Sequence, residues 1–321
     1  MTQTQLDVAG LVERARAGEH RAVARLITMV ESDHPALPEL AAALAPYTGT
    51  AQVIGLTGSP GVGKSSTTTE LVRALRAQGK RVGVLAVDPS SPFTGGAILG
   101  DRVRMQDHAT DPGVYIRSMS SRGHLGGLAA ATPQAVRVLE GAGCDVILVE
   151  TVGVGQAEVD VASLADTTLV LLAPGLGDAI QAAKAGILEV GDIFVVNKAD
   201  REGADATYRD IQGMIGLAER GPGDWRPKVI RTVATRSEGI DEVIGAIAKH
   251  HDWLRRHDQL AQRRHQRAVA EIEAIVLAAV RQRVAAAVGA RAPAVAAGTE
   301  DPHHAAAAIL IDLGVTRPGA G

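Results

Sequence analysis

The sequence predicts an α/β fold, with a mostly parallel sheet flanked by helices and helical extensions at both ends. Three observations carry this. Short apolar runs rich in Val, Ile and Leu recur from residue 52 onward, each too short for a helix and apolar on both faces. Segments with apolar residues three and four apart separate most of them. Before residue 49 and after about 238 the strand-like runs stop and only the helical spacing continues.

In chain order, "LVERARAG" and "HRAVARLITMVES" are helical, each closed by a breaker, and Pro35, Pro38 and Pro46 punctuate the arm. The strands are "QVIGLT", "RVGVLAVD", "VYIRS", "CDVILVE", "TTLVLLA", "DIFVVNK" and "KVIRTVA". Helices between them include "SSTTTELVRALRAQGK", "TPQAVRVLEGAG" and "DATYRDIQGMIGLAER". Two long helices follow, "GIDEVIGAIAKHHDWLRRHDQL" and "AVAEIEAIVLAAVRQRVAAAV". The basic stretch "RRHQR", Arg263 to Arg267, between or within them is read as a solvated helix face. "GARAPAVAAGTEDP" is read as a linker before a last helix, "HHAAAAILIDL". The expected domains are an N-terminal helical arm over 1–48, the sheet domain over 49–250, and a C-terminal helical region over 251–321.

The 321 residues can bury a sizeable core, and with 46% hydrophobic but only 2% aromatic residues that core must be aliphatic. A net charge of −3 gives no sign of a nucleic-acid or membrane-surface protein. With one cysteine, Cys144, neither a disulfide framework nor a thiolate cluster can form within one chain. The N-terminus lacks an apolar signal core and no run reaches the length of a membrane span, so a soluble cytoplasmic protein is expected.

The most informative stretch is "GLTGSPGVGKSSTTTEL". Gly58, Gly63, Lys64 and Ser65 fit G-x-x-x-x-G-K-[ST], between a strand and a helix, which is the context that makes it a phosphate loop of the P-loop NTPase type. Glycine lets the backbone of Gly58, Ser59, Pro60, Gly61, Val62 and Gly63 curl so that N–H groups face phosphate oxygens. The helix N-terminus adds partial positive charge. Lys64 is expected on the β- and γ-phosphates and the Ser65 hydroxyl on Mg²⁺, with Ser66 beside them.

The nucleotide is read from "NKAD", Asn197 to Asp200, at the end of a buried strand, where open α/β sheets bind ligands. The Asp200 carboxylate can accept both the ring and exocyclic N–H groups of guanine, a donor pair adenine lacks. The Lys198 stem can lie along the purine, and Asn197 can tie the base loop to the phosphate loop. "ATR", Ala234, Thr235 and Arg236, sits where such proteins add a backbone contact to the guanine carbonyl. GTP and GDP with Mg²⁺ are thus the expected ligands.

Three carboxylates are metal candidates. Glu150 ends a strand and opens "ETVG", where GTPases commonly have D-x-x-G; a water-mediated Mg²⁺ contact is expected, with the Gly153 N–H near the γ-phosphate. Asp88 and Asp101 could hold a metal-bound or attacking water; alternatively Asp88 caps "DPSSP" and Asp101 pairs with Arg102 or Arg104. Val154 rather than glutamine follows Gly153, and Gln156 is the nearest glutamine, so slow intrinsic hydrolysis is expected.

Together "GSPGVGKSS", "VDPSSPFTGGAILGDRVRM", "IRSMSSRGHLGGLA", "DVILVETVGVGQAEVDVA", "PGLGDAIQAAKAGILE" and "NKAD" resemble the methylmalonyl-CoA mutase-associated GTPases of the MeaB/ArgK type, over most of the chain. One departure is mild: "KSS" stands where the family often has "KST". The resemblance implies a Mg²⁺-dependent GTPase that assists assembly, cofactor loading and protection of an adenosylcobalamin-dependent acyl-CoA mutase. It implies a homodimer through the C-terminal helices, and a partner-responsive third switch, "GLGDAIQAAK", in which Lys184 helps complete the site; read from the residues alone, Lys184 could equally be an exposed helix lysine.

Two other functions stand against this. A metallochaperone GTPase would use His250, His251 and His257 on one helix or His303 and His304, although solvated helix histidines account for these residues as well. An ATPase or kinase linked to amino-acid transport is opposed by Asp200.

Overall fold

The structure is a computed structural model that describes residues 6–88, 108, 110–120, 131–151, 157–175 and 187–314. Its elements follow the order α1 (Val8–Arg16), α2 (His20–Glu31), α3 (Leu37–Leu44), β1 (Gln52–Thr57), α4 (Lys64–Ala77), β2 (Val82–Asp88), β3 (Val114–Ser120), α5 (Ala131–Gly141), β4 (Val146–Thr151), α6 (Ala157–Leu164), β5 (Thr167–Leu172), α7 (Ile187–Val190), β6 (Ile193–Val196), α8 (Ala204–Leu217), β7 (Lys228–Arg231), α9 (Ile240–Arg256), α10 (Gln259–Ala296) and α11 (Pro302–Asp312). The strands form one sheet in the order β3-β2-β4-β1-β5-β6-β7, parallel at every pairing. All seven expected strands are present.

The apolar runs are continuous because both faces of the sheet are covered. Along β2 and β4, Leu85, Val87, Ile147 and Val149 face a cluster built with α1, α2, α3 and α5, including Leu11, Leu26, Leu44 and Leu139. Val82, Val84 and Leu148 face the opposite cluster with Leu71 and Val72 of α4 and Val243 and Ile247 of α9. Phe194 of β6 packs with Ile211 and Ile215 of α8. The N-terminal helices therefore share the core of the sheet. β1 lies mid-sheet between β4 and β5, so its C-terminal end opens with β4 on one side and β5 on the other.

The chain divides into two compact units, residues 1–267 and 268–321. Two sequence expectations fail in and near the first turns and the end of α10. The "RRHQR" arginines are not a solvated face. Arg263 makes paired bonds of 2.8 and 2.9 Å to Asp192, Arg264 donates to Asp166 at 3.2 Å and to the Gly49 and Ala51 carbonyls, and Arg267 donates to the Leu164 carbonyl at 2.7 Å. Asp166 and Asp192 precede β5 and β6, 71 to 98 residues away from these arginines, which is why the pairing is invisible locally. Nor does the helix stop at Gly289: α10 runs to Ala296 through Pro293. Alanine supplies the helical propensity. Gly298, at φ 72°, and an Arg291–Glu300 pair of 2.6 Å close the end.

His250 also departs from the solvated-helix reading. It is fully buried. Its Nδ1 lies 2.9 Å from the Thr167 hydroxyl and its Nε2 lies 3.3 Å from Asp192. Burial pushes its pKa down to about 4, against the pull of the Asp192 charge.

Candidate functional site

The loop from Gly58 to Gly63 leaves β1 and enters α4 at Lys64. Two of its glycines are compelled by space. A Cβ at Gly58, where φ is 135°, would run into the Leu171 carbonyl of β5; one at Gly63, where φ is 98°, would run into the Asn197 amide. Gly61, at φ 82°, sits in open space and is needed for its backbone angle alone. Val62 is buried, Ser59 and Ser66 are half-buried, and Pro60 and Gly61 are exposed. Lys64 is buried by its own loop, and its Nζ donates to the carbonyls of Gly58 at 2.6 Å and Ser59 at 3.1 Å. A cation is thus held over the ring of backbone at the start of a helix, which suits a polyphosphate.

Glu150, near the end of β4, is buried and reaches the same helix. Ser65 Oγ donates to its Oε1 at 2.7 Å. Thr68 Oγ1 donates to its Oε2 at 2.8 Å. Hydroxyl and carboxylate oxygens beside a phosphate loop are a hard donor set of the kind that Mg²⁺ prefers. Sequence reasoning chose Ser65 and Glu150 and overlooked Thr68. The signal was available, because a residue three after Ser65 lies on the same helix face.

The base loop joins the phosphate loop through Asn197. Its Nδ2 donates to the Val62 carbonyl at 2.8 Å. Its Oδ1 accepts from the Thr232 hydroxyl and from the Ala234 N–H, both at 3.1 Å. One buried side chain therefore fastens three loops. Lys198, with φ of 57°, extends its Nζ to the Gly61 carbonyl at 2.6 Å, so its stem spans from base loop to phosphate loop. Asp200 is partly exposed and meets Arg236 at 3.4 Å. In the turn Ala234–Arg236 the Ala234 N–H goes to Asn197 and the Arg236 N–H to Val233. That leaves the Thr235 N–H as the amide the turn can offer a ligand, among the described residues. Ser237 closes the turn by donating to Glu70 of α4 at 2.6 Å, a second tie between base loop and phosphate helix.

Asp88 closes β2, two strands from β1. Its side chain, and the whole of Asp101, Gly153 and Lys184, lie outside the described residues. Among the described residues no group of three or more His, Cys, Asp or Glu is placed to hold a metal ion; His250 is buried, whereas His257 is exposed with its Nδ1 against the Trp253 carbonyl at 2.8 Å.

The family model described as methylmalonyl Co-A mutase-associated GTPase MeaB matches residues 23–289. A Pyrococcus abyssi relative whose name is that of a GTPase is 51% identical over 281 residues, covering 87% of this chain and 86% of its own. The Caenorhabditis elegans protein named methylmalonic aciduria type A homolog, mitochondrial, is 35% identical, over 82% of this chain and 71% of its own. The solved structure of a LAO/AO transport system kinase superposes with a TM-score of 0.72 at 29% identity, covering 97% of this chain and 99% of that one.

Proposed function

The chain belongs to the MeaB family of methylmalonyl-CoA mutase-associated GTPases, and from that premise we propose that it is a GTP-driven chaperone of an adenosylcobalamin-dependent acyl-CoA mutase. The observation that carries the reading is the Asn197 junction, which locks a phosphate loop to a loop bearing Asp200. GTP and GDP are the ligands, with the triphosphate on the backbone N–H groups of residues 58–65 other than Pro60 and on Lys64, guanine on Asp200 and the Thr235 N–H. Mg²⁺ would be held by Ser65, with Glu150 behind it through water, and would neutralise charge on the β- and γ-phosphates. Asp88 and Asp101 are assigned to a metal-bound or attacking water and the Gly153 N–H to the γ-phosphate by their places in the sequence, and Lys184 to a partner-responsive switch by the family resemblance. The partner reads the nucleotide state, and by linkage alters nucleotide affinity in return.

The family description supports the mutase as partner, and the apolar stripe Val269, Ile272, Val276 and Val280 of α10 supports a homodimer. These residues lie three and four apart and are 42 to 62% exposed. Ile272→Lys is expected to give a monomer by light scattering.

The kinase reading is favoured by the description of one solved neighbour and opposed by the carboxylate of Asp200, for which adenine has no matching donor pair. Calorimetry decides between them: GTP is expected to bind and ATP not. For the chaperone role, the protein loaded with GDP or with a non-hydrolysable GTP analogue is used to capture partners from its native lysate. An acyl-CoA mutase retained in one nucleotide state supports the reading, and its absence in both overturns it.

A further inference from the structure

We infer that Thr68 is a positioning residue for the metal side of the nucleotide site, acting through Glu150. Glutamate has one methylene more than the aspartate that GTPases commonly place at the end of this strand. A longer, freer arm would let the carboxylate wander or swing onto the metal itself. Here both of its oxygens are held by α4: Oε1 takes the Ser65 hydroxyl at 2.7 Å and Oε2 takes the Thr68 hydroxyl at 2.8 Å. Ser65 and Thr68 lie three residues apart, on one face of the first turns of the helix.

Thr68 is fully buried, and so is the carboxylate it holds, at 4% exposure. Its single hydroxyl hydrogen has two acceptors within reach, the Lys64 carbonyl at 3.0 Å and Glu150 at 2.8 Å. The nearer and charged acceptor takes it. A helical threonine that only bonded back to the carbonyl four residues earlier would be unremarkable; here the hydroxyl also meets a buried charge from a different element. With Oε2 fixed, Oε1 stays on Ser65, whose hydroxyl oxygen would serve as a ligand in the proposed Mg²⁺ site. Groups that hold a ligand's partner in this way commonly matter to metal affinity almost as much as the ligands.

This role rests on the proposed Mg²⁺–guanine nucleotide reading, so the test separates the two. GDP and non-hydrolysable GTP affinities are measured by calorimetry in saturating Mg²⁺ and in excess chelator, and their ratio is the readout. Thr68→Val, which keeps the shape and removes the hydroxyl, is expected to cut the gain from Mg²⁺ by about tenfold. Thr68→Ser is expected to restore it, whereas a purely structural threonine would lower thermal stability and leave the ratio intact. The pair is repeated in a Glu150→Ala background, which removes the buried carboxylate that Thr68→Val would strand; there the valine is expected to change the ratio no further. A wild-type ratio in Thr68→Val, or a fresh tenfold loss in the Glu150→Ala background, overturns the positioning role. A wild-type protein whose affinities ignore Mg²⁺ overturns the metal reading and this inference together.

Discussion

At the end of the sheet where the strands finish, Lys64, Glu150 and Asn197 are buried and bonded to backbone carbonyls and hydroxyls. At the other end, where β5 and β6 begin, Asp166, Asp192 and His250 are buried too, and the two acids meet Arg263, Arg264 and Arg267. Both ends desolvate ionisable groups. They differ in what those groups face. The arginine end is closed on itself, with each acid met by a guanidinium. At the lysine end Lys64 bonds the carbonyls of Gly58 and Ser59 in a glycine-rich loop at the start of a helix. Burial of charge alone therefore does not mark a site; what sets the lysine end apart is a buried cation beside a glycine loop at a helix N-terminus, a setting that suits an anion.

Lys64→Ala tests that contrast most severely. It should abolish GTP turnover, a loss of at least about 100-fold, while thermal melting stays near wild type. Unchanged turnover would remove the phosphate-loop assignment. Arg263→Ala should do the reverse. It strands the buried Asp192 carboxylate at a cost of about 3 kcal/mol, read as a lower unfolding free energy with guanine nucleotide affinity retained. Equal stability of Arg263→Ala and wild type would mean the arginine end is not a fastening.

Asp200→Asn comes next. Weakening GTP by about tenfold while improving xanthosine triphosphate is expected, measured by competition binding; no change in preference would take guanine recognition away from this residue. The smallest effect concerns pH. His250 is held neutral in the fold, with its pKa down at about 4, while the unfolded chain protonates near 6.5. Stability is therefore unaffected by this group above pH 6.5 and falls as pH drops from there toward 4. The loss should be about 1 kcal/mol by pH 5.5, and His250→Gln should flatten that part of the profile. A variant with the same acid slope as wild type would place the sensitivity elsewhere.

The sequence made one end of the sheet far more legible than the other. A phosphate loop needs glycines, a lysine and a hydroxyl within nine residues, and "NKAD" is four residues long, so each is complete in a local window. The strands were equally plain, because burial on both faces leaves unbroken Val, Ile and Leu. The arginine end has no such window. Arg263 is 71 residues from Asp192 and Arg264 is 98 from Asp166, and an arginine-rich turn of helix reads as solvated until its acids are found. His250 misled for the same reason, since Thr167 lies 83 residues away. Pro293 suggested a linker, but the alanines around it carry the helix past the missing bond. Thr68 was hidden differently, in a run of five hydroxyl residues from Ser65 to Thr69 whose members look interchangeable.

The placing of β1 in the middle of the sheet has a consequence for synthesis. This strand is made early, yet both of its neighbours, β4 and β5, come more than ninety residues later by their register with it. A ribosome adding roughly 5–20 residues per second leaves the strand and its glycine loop without a frame for on the order of ten seconds. Asn197, which ties the loop after β6 to the glycine loop, emerges later still. If the nucleotide sits as proposed, a nascent chain gains its grip only once nearly the whole sheet has been translated, and a ribosome-bound fragment ending before β6 should leave fluorescent GDP in solution.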